Sequence, residues 1–368
     1  MDKLLEGLQS LTWQQGVMIL VGLVLIYLAI KKEYEPMLLL PIGFGAILTN
    51  IPLSSAVGEG GFLTILYNAG IRTELFPILI FIAVGAMIDF SPLLKQPIML
   101  FFGAAAQLGI FMAMLLAAST GVFSLKEAAS IGIIGAADGP TSIYVANLFA
   151  PDLLGPISVA AYSYMALVPI IQPPVIRALT SKKERQIRME ADYDAKVSKK
   201  VLILFPIVVT LVAGIIAPIS VGLVGALMFG NLIRESGVMD RLSKSAQNEL
   251  ANLTTLLLGI TIGSTMVAEK FLAPTTLLIL GIGLLAFVFD TAGGVLFAKF
   301  INLFLKKKIN PMIGAAGISA FPMSARVVQK IALEEDPTNF ILMQAIGANV
   351  AGQIGSIIAG GILLALVG

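Results

Sequence analysis

The sequence predicts an all-α, polytopic membrane protein made of two inverted halves, each with about five transmembrane helices and one hairpin. Of its 368 residues, 57% are hydrophobic and only 12% are charged, whereas a soluble domain carries about 25% charged residues. Long apolar stretches recur along the chain, and basic residues gather in alternate loops. Short motifs of the first half also return in the second half. Together these observations predict the fold class.

The composition also limits the chemistry. The chain contains neither cysteine nor histidine, which excludes disulfides, thiolate chemistry and the commonest ligand of transition metals. An ion must therefore be bound by carboxylates, hydroxyls, amides or carbonyls, which suit Na⁺, H⁺ or Mg²⁺. The net charge of +2 gives no reason to expect a nucleic-acid partner; membrane lipid is the expected surrounding.

Ten stretches approach the length of about 20 apolar residues that a transmembrane helix needs. The stretch 62–88 is interrupted around Gly70 to Glu74. The predicted spans are 14–31, 36–52, 62–88, 97–119 and 155–179 in the first half, and 201–217, 219–233, 250–268, 274–300 and 338–366 in the second.

Two further segments are apolar but poorly suited to a continuous helix. Segment 126–149 contains Asp138 followed by Gly139 and Pro140, and segment 309–329 contains Asn310, two prolines, several glycines and Arg326. Gly-Pro breaks a helix and frees backbone carbonyls that lipid cannot satisfy. Both segments are therefore predicted to be re-entrant or broken-helix hairpins.

The distribution of basic residues tests this layout. If both segments are hairpins, the loops and helix ends on one side hold 19 of the 24 Lys and Arg residues. Positive charge marks the cytoplasmic side of a membrane protein. The basic segment 181–200 is therefore predicted to be a cytoplasmic linker of a multi-pass protein in the cell membrane, with both termini outside.

The two halves repeat each other at an offset near 180 residues. Ile134–Ala137 returns as Ile313–Ala316, and Ile82–Met87 has an echo in Ile260–Met266. We predict a first repeat over 1–180 and a second over 201–368. Because each repeat has an odd number of spans, the second is inverted, as in many secondary transporters.

Asp138 is the first candidate for ion chemistry. A carboxylate in a bilayer costs about 3 kcal/mol or more, so such residues usually line an ion or substrate path. The hydroxyls of Thr141 and Ser142 lie one turn on, and with the freed carbonyls they make a plausible sodium shell. The alternative is an acid at a solvated hairpin end.

Arg326 is the basic residue placed within a hairpin rather than at the end of a span. It is predicted to anchor an anionic carboxylate, which Arg binds bidentately, or to be a counter-charge for Asp138. The alternative is that it snorkels to the membrane interface.

Two spans carry further polar groups. Tyr162 and Tyr164 lie in the span 155–179, where Tyr164 could present a phenol to the site, unless the pair is only part of the aromatic belt. Gln172, Pro173 and Pro174 further along predict a kinked, polar-faced helix. In the last span Asn349, Gln353 and Ser356 share one polar face, which could contribute to the site. Packing between helices explains such a face equally well. Asp290 is another acid within a span, and its role is ambiguous.

No nucleophile–base pair, phosphate loop or dinucleotide fingerprint occurs in the chain. Over nearly its whole length, however, the sequence resembles the membrane β subunits of sodium-translocating, biotin-dependent decarboxylases, which act on oxaloacetate, methylmalonyl-CoA, glutaconyl-CoA or malonate. The motifs that carry this resemblance are Gly135–Thr141, Ala161–Pro169, Asn310–Arg326 and Gly347–Gly352.

The resemblance implies an enzyme that is also a translocase. Such a subunit decarboxylates carboxybiotin delivered from the cytoplasm, moves Na⁺ outward and takes up a proton. The biotin is carried on a partner subunit. The implied partners are a carboxyltransferase subunit, a biotin carrier protein and a small single-span membrane subunit, and the chain is expected to be a homo-oligomer within that complex. The competing hypothesis is a sodium-coupled secondary transporter or Na⁺/H⁺ antiporter without enzymatic activity.

The resemblance also assigns roles to residues. Asp138 and Tyr164 match positions that handle sodium and protons, and with Arg326 they are the predicted catalytic residues. The positions of Asn310, Gly314, Ser319 and Arg326 form a second functional cluster. The predicted sodium-binding residues are Asp138, Thr141, Ser142, Asn310, Gly314, Ser319 and Asn349, with the ion held at Asp138, Asn310 and Ser319.

Overall fold

The computed structural model describes residues 6–7, 9–189 and 196–368, and the regular structure of these residues is helical throughout. The first half contains α1 (Trp13–Lys31), α2 (Pro36–Asn50), α3 (Phe62–Leu66), α4 (Leu75–Met87), α5 (Ser91–Lys95), α6 (Met99–Ala105), α7 (Leu108–Ser119), α8 (Leu125–Gly132), α9 (Gly139–Phe149) and α10 (Leu154–Leu179).

The second half has a similar order of long and short helices. It contains α11 (Lys182–Arg185), α12 (Lys199–Ile216), α13 (Val221–Ser236), α14 (Asp240–Ser245), α15 (Ala251–Ser264), α16 (Ala268–Phe271), α17 (Pro274–Phe304), α18 (Met312–Ala315), α19 (Met323–Glu335) and α20 (Leu342–Val367). Turns of π-helix follow α3 and α14, and turns of 3₁₀-helix precede α10 and α13 and follow α8.

The prediction of a polytopic membrane protein is confirmed. Among the described residues, α1, the α6–α7 pair, α12, α17 and α20 are each long and apolar enough to cross a membrane. The segment Phe62–Ile71 together with α4 is also long and apolar enough, and is bent by 62° at the predicted interruption. Helix α10 with the turn before it is long and apolar enough as well, and bends by 65° between Met165 and Leu167. The bend precedes the predicted kink at Pro173 because Pro169 already lacks the N–H that would bond to Met165.

One predicted span differs from expectation. The sequence predicts a continuous helix over 97–119, but the helix is interrupted between α6 and α7 at Ala106 and Gln107. The side chain of Asp290 in α17 accepts a hydrogen bond from the Gly109 amide at 2.6 Å, in place of a carbonyl of the same helix. A distant carboxylate therefore caps the second piece of this span, and the local sequence contains no sign of it.

Both awkward segments turn back on themselves. In the first hairpin, α8 and α9 lie side by side, and the Lys126 ammonium lies 5.3 Å from the ring centroid of Phe149 near the other end. In the second hairpin, Asn310 and Asn339 at its two ends both donate to the backbone carbonyl of Arg185. This hairpin is longer than the predicted 309–329, because α19 continues to Glu335.

The two hairpins open toward opposite ends of α10. The first leads through the turn Pro151–Leu153 directly into the start of α10. The second is attached to Arg185 and Ile187, which follow the end of α10. Their tips meet between these ends.

Helices of the two halves contact each other in matched ways. Asn50 at the end of α2 donates to the Met266 carbonyl at 2.8 Å, and Asn231 near the end of α13 donates to the Ile88 carbonyl at 2.9 Å. Each asparagine thus holds the end of a helix from the other half. The division into repeats over 1–180 and 201–368 stays a prediction. Two halves related in this way are expected to make such paired contacts.

Charged residues concentrate where the second hairpin opens. We call this region, formed by residues 177–189, 299–310 and 334–339, the basic end. Ion pairs join its parts, and their closest N–O distances are 2.6 to 3.2 Å: Arg177–Glu334, Arg185–Glu335, Arg188–Asp336 and Lys299–Glu184. The predicted linker 181–200 begins here, and its residues 190–195 lie outside the described residues. At the other end of α10, Asp152 pairs with Lys270 at 2.5 Å.

Candidate functional site

Asp138 lies at the break of the first hairpin, where the chain passes from a 3₁₀ turn into α9. The preceding Ala137 has a φ of 52°, a left-handed conformation that turns the backbone sharply. Pro140 fits the first turn of α9 because no N–H is needed there. The Asp138 side chain is only 5% exposed, so the break places a carboxylate inside the protein.

Two hydroxyls surround this carboxylate. Thr141 donates to Oδ2 of Asp138 at 2.6 Å, and Ser356 of α20 donates to the same atom at 3.2 Å. The Ser142 hydroxyl instead donates to the backbone carbonyl of Asp138 at 2.9 Å. The structure therefore places Thr141 and Ser142 beside Asp138, as the sequence predicted. Ser356 was predicted only to lie on the polar face of its helix, and its contact with Asp138 was not predicted.

The polar face of α20 connects Asp138 with the second hairpin. Asn349 donates to the Ile318 carbonyl at 2.6 Å, and Gln353 donates to the carbonyl of Ser319. The Ser319 hydroxyl in turn donates to the Gly352 carbonyl at 2.8 Å. The Oδ1 atom of Asn349 is buried and has no hydrogen-bond partner. The second hairpin tip thus lies against the face that carries Ser356.

The tips of the two hairpins touch directly. The Ser319 amide donates to the Ala136 carbonyl at 3.2 Å. Gly314, in the descending part of the second hairpin, packs backbone to backbone on α17, where an added Cβ would lie 1.9 Å from the Gly294 carbonyl oxygen. Gly314 is therefore placed where only a glycine permits this approach.

Asn310 occupies the basic end rather than the hairpin tips. Its amide donates to the carbonyls of Arg185 and Ile187, both at 2.9 Å. Its Oδ1 accepts from the Met312 amide at 3.1 Å. The amide nitrogen thus fixes the segment after α10 and the amide oxygen bonds within the hairpin itself. The structure does not bring this side chain to Asp138.

The two tyrosines of α10 lie in different surroundings. The Tyr162 ring covers Gly139, where an added Cβ would be 2.1 Å from a ring carbon, and its buried hydroxyl has no hydrogen-bond partner. The Tyr164 hydroxyl donates to the Leu280 carbonyl of α17 at 2.5 Å. Tyr162 is thus the phenol beside Asp138. Residues two apart in a helix point to nearly opposite sides, so the two phenols meet different neighbours. The sequence chose Tyr164 for a role at the site, and that choice stays a prediction.

Arg326 lies in the first turns of α19, and its side chain is exposed. It lines a cavity of about 490 Å³ together with Gln329, Lys330, Leu333, Glu334 and Leu342. The guanidinium makes no hydrogen bond or ion pair with any of the described residues. Glu334, on the same wall, is held by Arg177. Arg326 and Asp138 thus lie in separate surroundings, one open beside the basic end and the other buried at the hairpin tips.

Two buried polar residues, one in α17 and one in α10, contact the hairpins. Asp290 is fully buried, its Oδ2 has no partner, and an added Cβ on Gly135 would lie 2.6 Å from that atom. Gln172 of α10 donates to the Ala315 carbonyl at 2.8 Å and accepts from the Ser324 hydroxyl at 3.0 Å. The sequence identified both as polar positions in spans, but not their neighbours.

The oxygen atoms at this site are of the kind that bind hard, small cations. A carboxylate, hydroxyl oxygens, a phenol and backbone carbonyls of the two hairpin tips lie within the buried interior. Oxygen ligands of this kind suit alkali and alkaline-earth ions. Across the described residues, Asp and Glu side chains nowhere gather in a group of three that could hold a divalent metal. The single carboxylate instead matches the charge of a monovalent ion.

Comparison with known proteins places these features in a family. A sequence model described as the Na⁺-transporting oxaloacetate decarboxylase beta subunit matches residues 14–367. The chain is 52% identical over 363 residues to glutaconyl-CoA decarboxylase subunit beta of Acidaminococcus fermentans, covering 99% of this chain and 96% of the relative. It is 50% identical over 386 residues to methylmalonyl-CoA decarboxylase subunit beta of Propionigenium modestum, covering 98% and 97%. It is 47% identical over 421 aligned positions to oxaloacetate decarboxylase beta chain 2 of Salmonella typhi, again covering 98% and 97%.

Proposed function

We infer the function from one premise, that the chain belongs to the family of Na⁺-transporting oxaloacetate decarboxylase beta subunits. It is the membrane subunit of a decarboxylase sodium pump. We propose that it decarboxylates carboxybiotin presented from the cytoplasm and couples this reaction to the outward movement of Na⁺ and the uptake of a proton. Moving one charge against 100 mV requires about 2.3 kcal/mol, so the transport step needs such a coupled reaction.

The observation that carries this proposal is the buried carboxylate of Asp138 at a hairpin break, hydrogen-bonded by Thr141 and Ser356. Without a counter-charge, a carboxylate in this position is strongly unfavourable. A sodium ion bound to Oδ1 and Oδ2 would supply the missing charge. We propose that Asp138 and Thr141 hold the ion from the first hairpin.

The remaining predicted sodium ligands divide into two groups. Ser142, Ser319 and Asn349 lie at the tips and on the face of α20 that joins them, and we propose that they complete or shape the sodium shell. The contacts of Gly314 and Asn310 favour a positioning role: Gly314 permits close packing on α17, and Asn310 fixes the basic end. Ser356 joins the proposed shell on the strength of its hydrogen bond to Asp138.

We propose that the Tyr164 phenol relays the proton, and this role has a structural requirement. Its hydroxyl donates to the Leu280 carbonyl, so a relay through this residue needs that bond to open. Opening would free one carbonyl in α17, the helix that also carries Asp290. The proposal therefore links proton uptake to a local rearrangement where α10 contacts α17.

Arg326 is the proposed anchor of the carboxyl group. An exposed guanidinium with no partner among the described residues, beside a cavity of about 490 Å³, fits a carboxylate-bearing ligand, because Arg donates two parallel hydrogen bonds to such a group. Carboxybiotin would supply a carboxyl group whose release as CO₂ consumes a proton. Arg326 would hold that carboxylate at a fixed position beside the basic end.

The partners follow from family membership at a coarser level. A beta subunit works within a multisubunit decarboxylase, and we propose a carboxyltransferase subunit, a biotin carrier protein and a small single-span subunit as its partners, with several copies of this chain in the complex. We propose that the biotin carrier docks at the basic end and that this end faces the cytoplasm. The alternative, a sodium-coupled transporter or antiporter without enzymatic activity, is not favoured by the family assignment.

One experiment tests the proposed function. The complex is purified through a tag on this chain, captured a second time on monomeric avidin and reconstituted into proteoliposomes. Oxaloacetate, methylmalonyl-CoA and glutaconyl-CoA are then supplied in turn while CO₂ release and ²²Na⁺ uptake are measured. We expect avidin to retain the chain and one substrate to drive both signals together. Sodium movement that follows only an imposed ion gradient, with no decarboxylation, would show that the chain is a carrier instead.

A further inference from the structure

The loop between α1 and α2 has an unusual backbone. Glu33 and Glu35 adopt φ angles of 54° and 37°, in the left-handed region where residues other than glycine are rare. Such strain persists only where the surrounding structure enforces it, and it clusters at functional sites. The strained loop, residues 32–36, forms one wall of a cavity of about 410 Å³, and Pro169, Ile170 and Met323 form the other.

The Glu35 carboxylate is half-buried at this cavity. It makes no hydrogen bond and no ion pair with any described residue, although Lys32 lies on the same wall. Burial raises the pKa of Glu35 above its usual range, because desolvation disfavours the charged carboxylate. A cation bound in the cavity would stabilise the charged form.

Tyr162 lies on the helix that lines the cavity, seven residues before Pro169. Its ring lies on Gly139, the residue after Asp138. The Tyr162 hydroxyl is buried and has no partner. This phenol therefore offers an unpaired oxygen to a cation that moves along α10 from the cavity to Asp138.

The Glu35 wall of the cavity lies on the side of the basic end. The far end of α2, at Asn50, is held by Met266 and Ala268, close to Lys270, which pairs with Asp152 at the opposite end. Glu35, at the start of α2, therefore lies on the other side of the protein. The cavity also reaches Met323, the first residue of α19.

We propose that Glu35 is the first carboxylate that Na⁺ meets on its way from the basic end, and that the ion passes the Tyr162 phenol to reach Asp138. This inference rests on the proposed function, since it assigns a route to the same ion. Glu35 acts by attraction: a carboxylate in a cleft with low-dielectric walls concentrates cations and speeds their arrival. It is not required for the chemical step, so its loss is expected to change the sodium concentration needed and not the maximal rate.

The test compares Glu35→Gln, Glu35→Asp and Glu33→Gln in the complete complex, reconstituted so that Na⁺ is varied on the side of the basic end. Glu33→Gln is the matched control, because Glu33 lines the same cavity and has the same backbone strain but is exposed. We expect Glu35→Gln to raise the apparent KM for Na⁺ about tenfold with the maximal rate retained. Glu35→Asp keeps the charge and should stay within about twofold of wild type, as should Glu33→Gln.

Three outcomes overturn the inference. An unchanged KM for Na⁺ in Glu35→Gln would remove Glu35 from the route. A loss of maximal rate at all sodium concentrations, shared by Glu35→Asp, would point to a role in folding of the loop. A tenfold rise in Glu33→Gln as well would show a general surface charge effect. If the wild-type complex itself shows no sodium dependence, the proposed function fails. This outcome differs from a failure of the Glu35 inference because it is seen before any variant is tested.

Discussion

The backbone amide of Ser319 donates a hydrogen bond to the carbonyl of Ala136 at 3.2 Å. This bond joins the tips of two hairpins that enter from opposite ends of α10. One tip leads within two residues to Asp138, and the other leads within seven residues to Arg326. The proposed ion site and the proposed carboxyl anchor are thus connected through a few backbone atoms, so a movement of either hairpin must disturb the other.

Close packing of the second hairpin on α17 gives the first prediction. An added Cβ at Gly294 would lie 2.0 Å from the Gly314 carbonyl oxygen, whereas Gly281 in the same helix has no atom within 4 Å of that position. Gly294→Ala is expected to destabilise the protein by about 1–3 kcal/mol, as overpacking does, and to impair coupling. Gly281→Ala should leave both unchanged. Thermal unfolding of the purified complex and sodium-dependent CO₂ release measure the two effects, and equal behaviour of the variants would contradict the packing argument.

Asp138→Asn tests the sodium site. The amide preserves the shape of the side chain and an acceptor for Thr141 but removes the charge that a monovalent cation needs. We expect the sodium concentration for half-maximal decarboxylation to rise at least about tenfold. Asp152→Asn, at an exposed carboxylate of the opposite end, is the control and should resemble wild type. Wild-type sodium activation of Asp138→Asn would rule out this carboxylate as a ligand.

Much of this arrangement follows from local sequence, and the remainder depends on tertiary contacts. The break at Asp138 was predictable because Gly139-Pro140 interrupts a helix wherever it occurs, and the spans were predictable from apolar length. The break before Gly109 was not, because the capping carboxylate of Asp290 is 181 residues away. Only the path of the folded chain brings such a pair together.

The sequence chose Tyr164 through the family resemblance, but it could not show that Tyr162 lies beside Asp138, for a related reason. Both residues precede the bend of α10, and which of them faces the first hairpin depends on how the helix is rotated about its axis. Periodicity fixes relative faces within a helix but not which neighbour each face meets. The same limit applies to Asn310, whose partners Arg185 and Ile187 follow a different span.

Tyr162→Phe and Tyr164→Phe are predicted to differ. The Tyr162 hydroxyl has no partner, so its removal should leave thermal stability unchanged or slightly higher, while sodium half-activation moves to higher concentration. Tyr164→Phe removes the donor to the Leu280 carbonyl and is expected to lower stability by about 1 kcal/mol. Unfolding temperature and sodium titration, measured on the same preparations, separate the two. A stability loss in Tyr162→Phe without any shift in the sodium titration would argue against the phenol as part of the ion's surroundings.

Asn310→Ala distinguishes a positioning role from a ligand role. The variant loses both hydrogen bonds to the carbonyls of Arg185 and Ile187, while the longer contacts from Asn339 remain. We expect segment 181–189 to be cleaved more readily in limited proteolysis, with little change in the sodium titration. A shift comparable to that of Asp138→Asn would instead support the predicted place of Asn310 among the sodium ligands.

Arg326→Ala tests the carboxyl anchor. The guanidinium is exposed and makes no hydrogen bond or ion pair with the described residues, so its removal should not weaken the fold; a loss of activity therefore reports on the ligand. Removing a charge-assisted, bidentate contact to the reacting group is expected to reduce turnover about 10²–10³-fold. Arg326→Lys keeps the charge but not the planar pair of donors and should recover only part of the rate. Lys330→Ala, one turn further along the same cavity wall, is the matched control and is expected to stay near wild type. Turnover measured with saturating Na⁺ excludes an indirect effect on the ion, and full activity of Arg326→Ala would remove this residue from the carboxylate site.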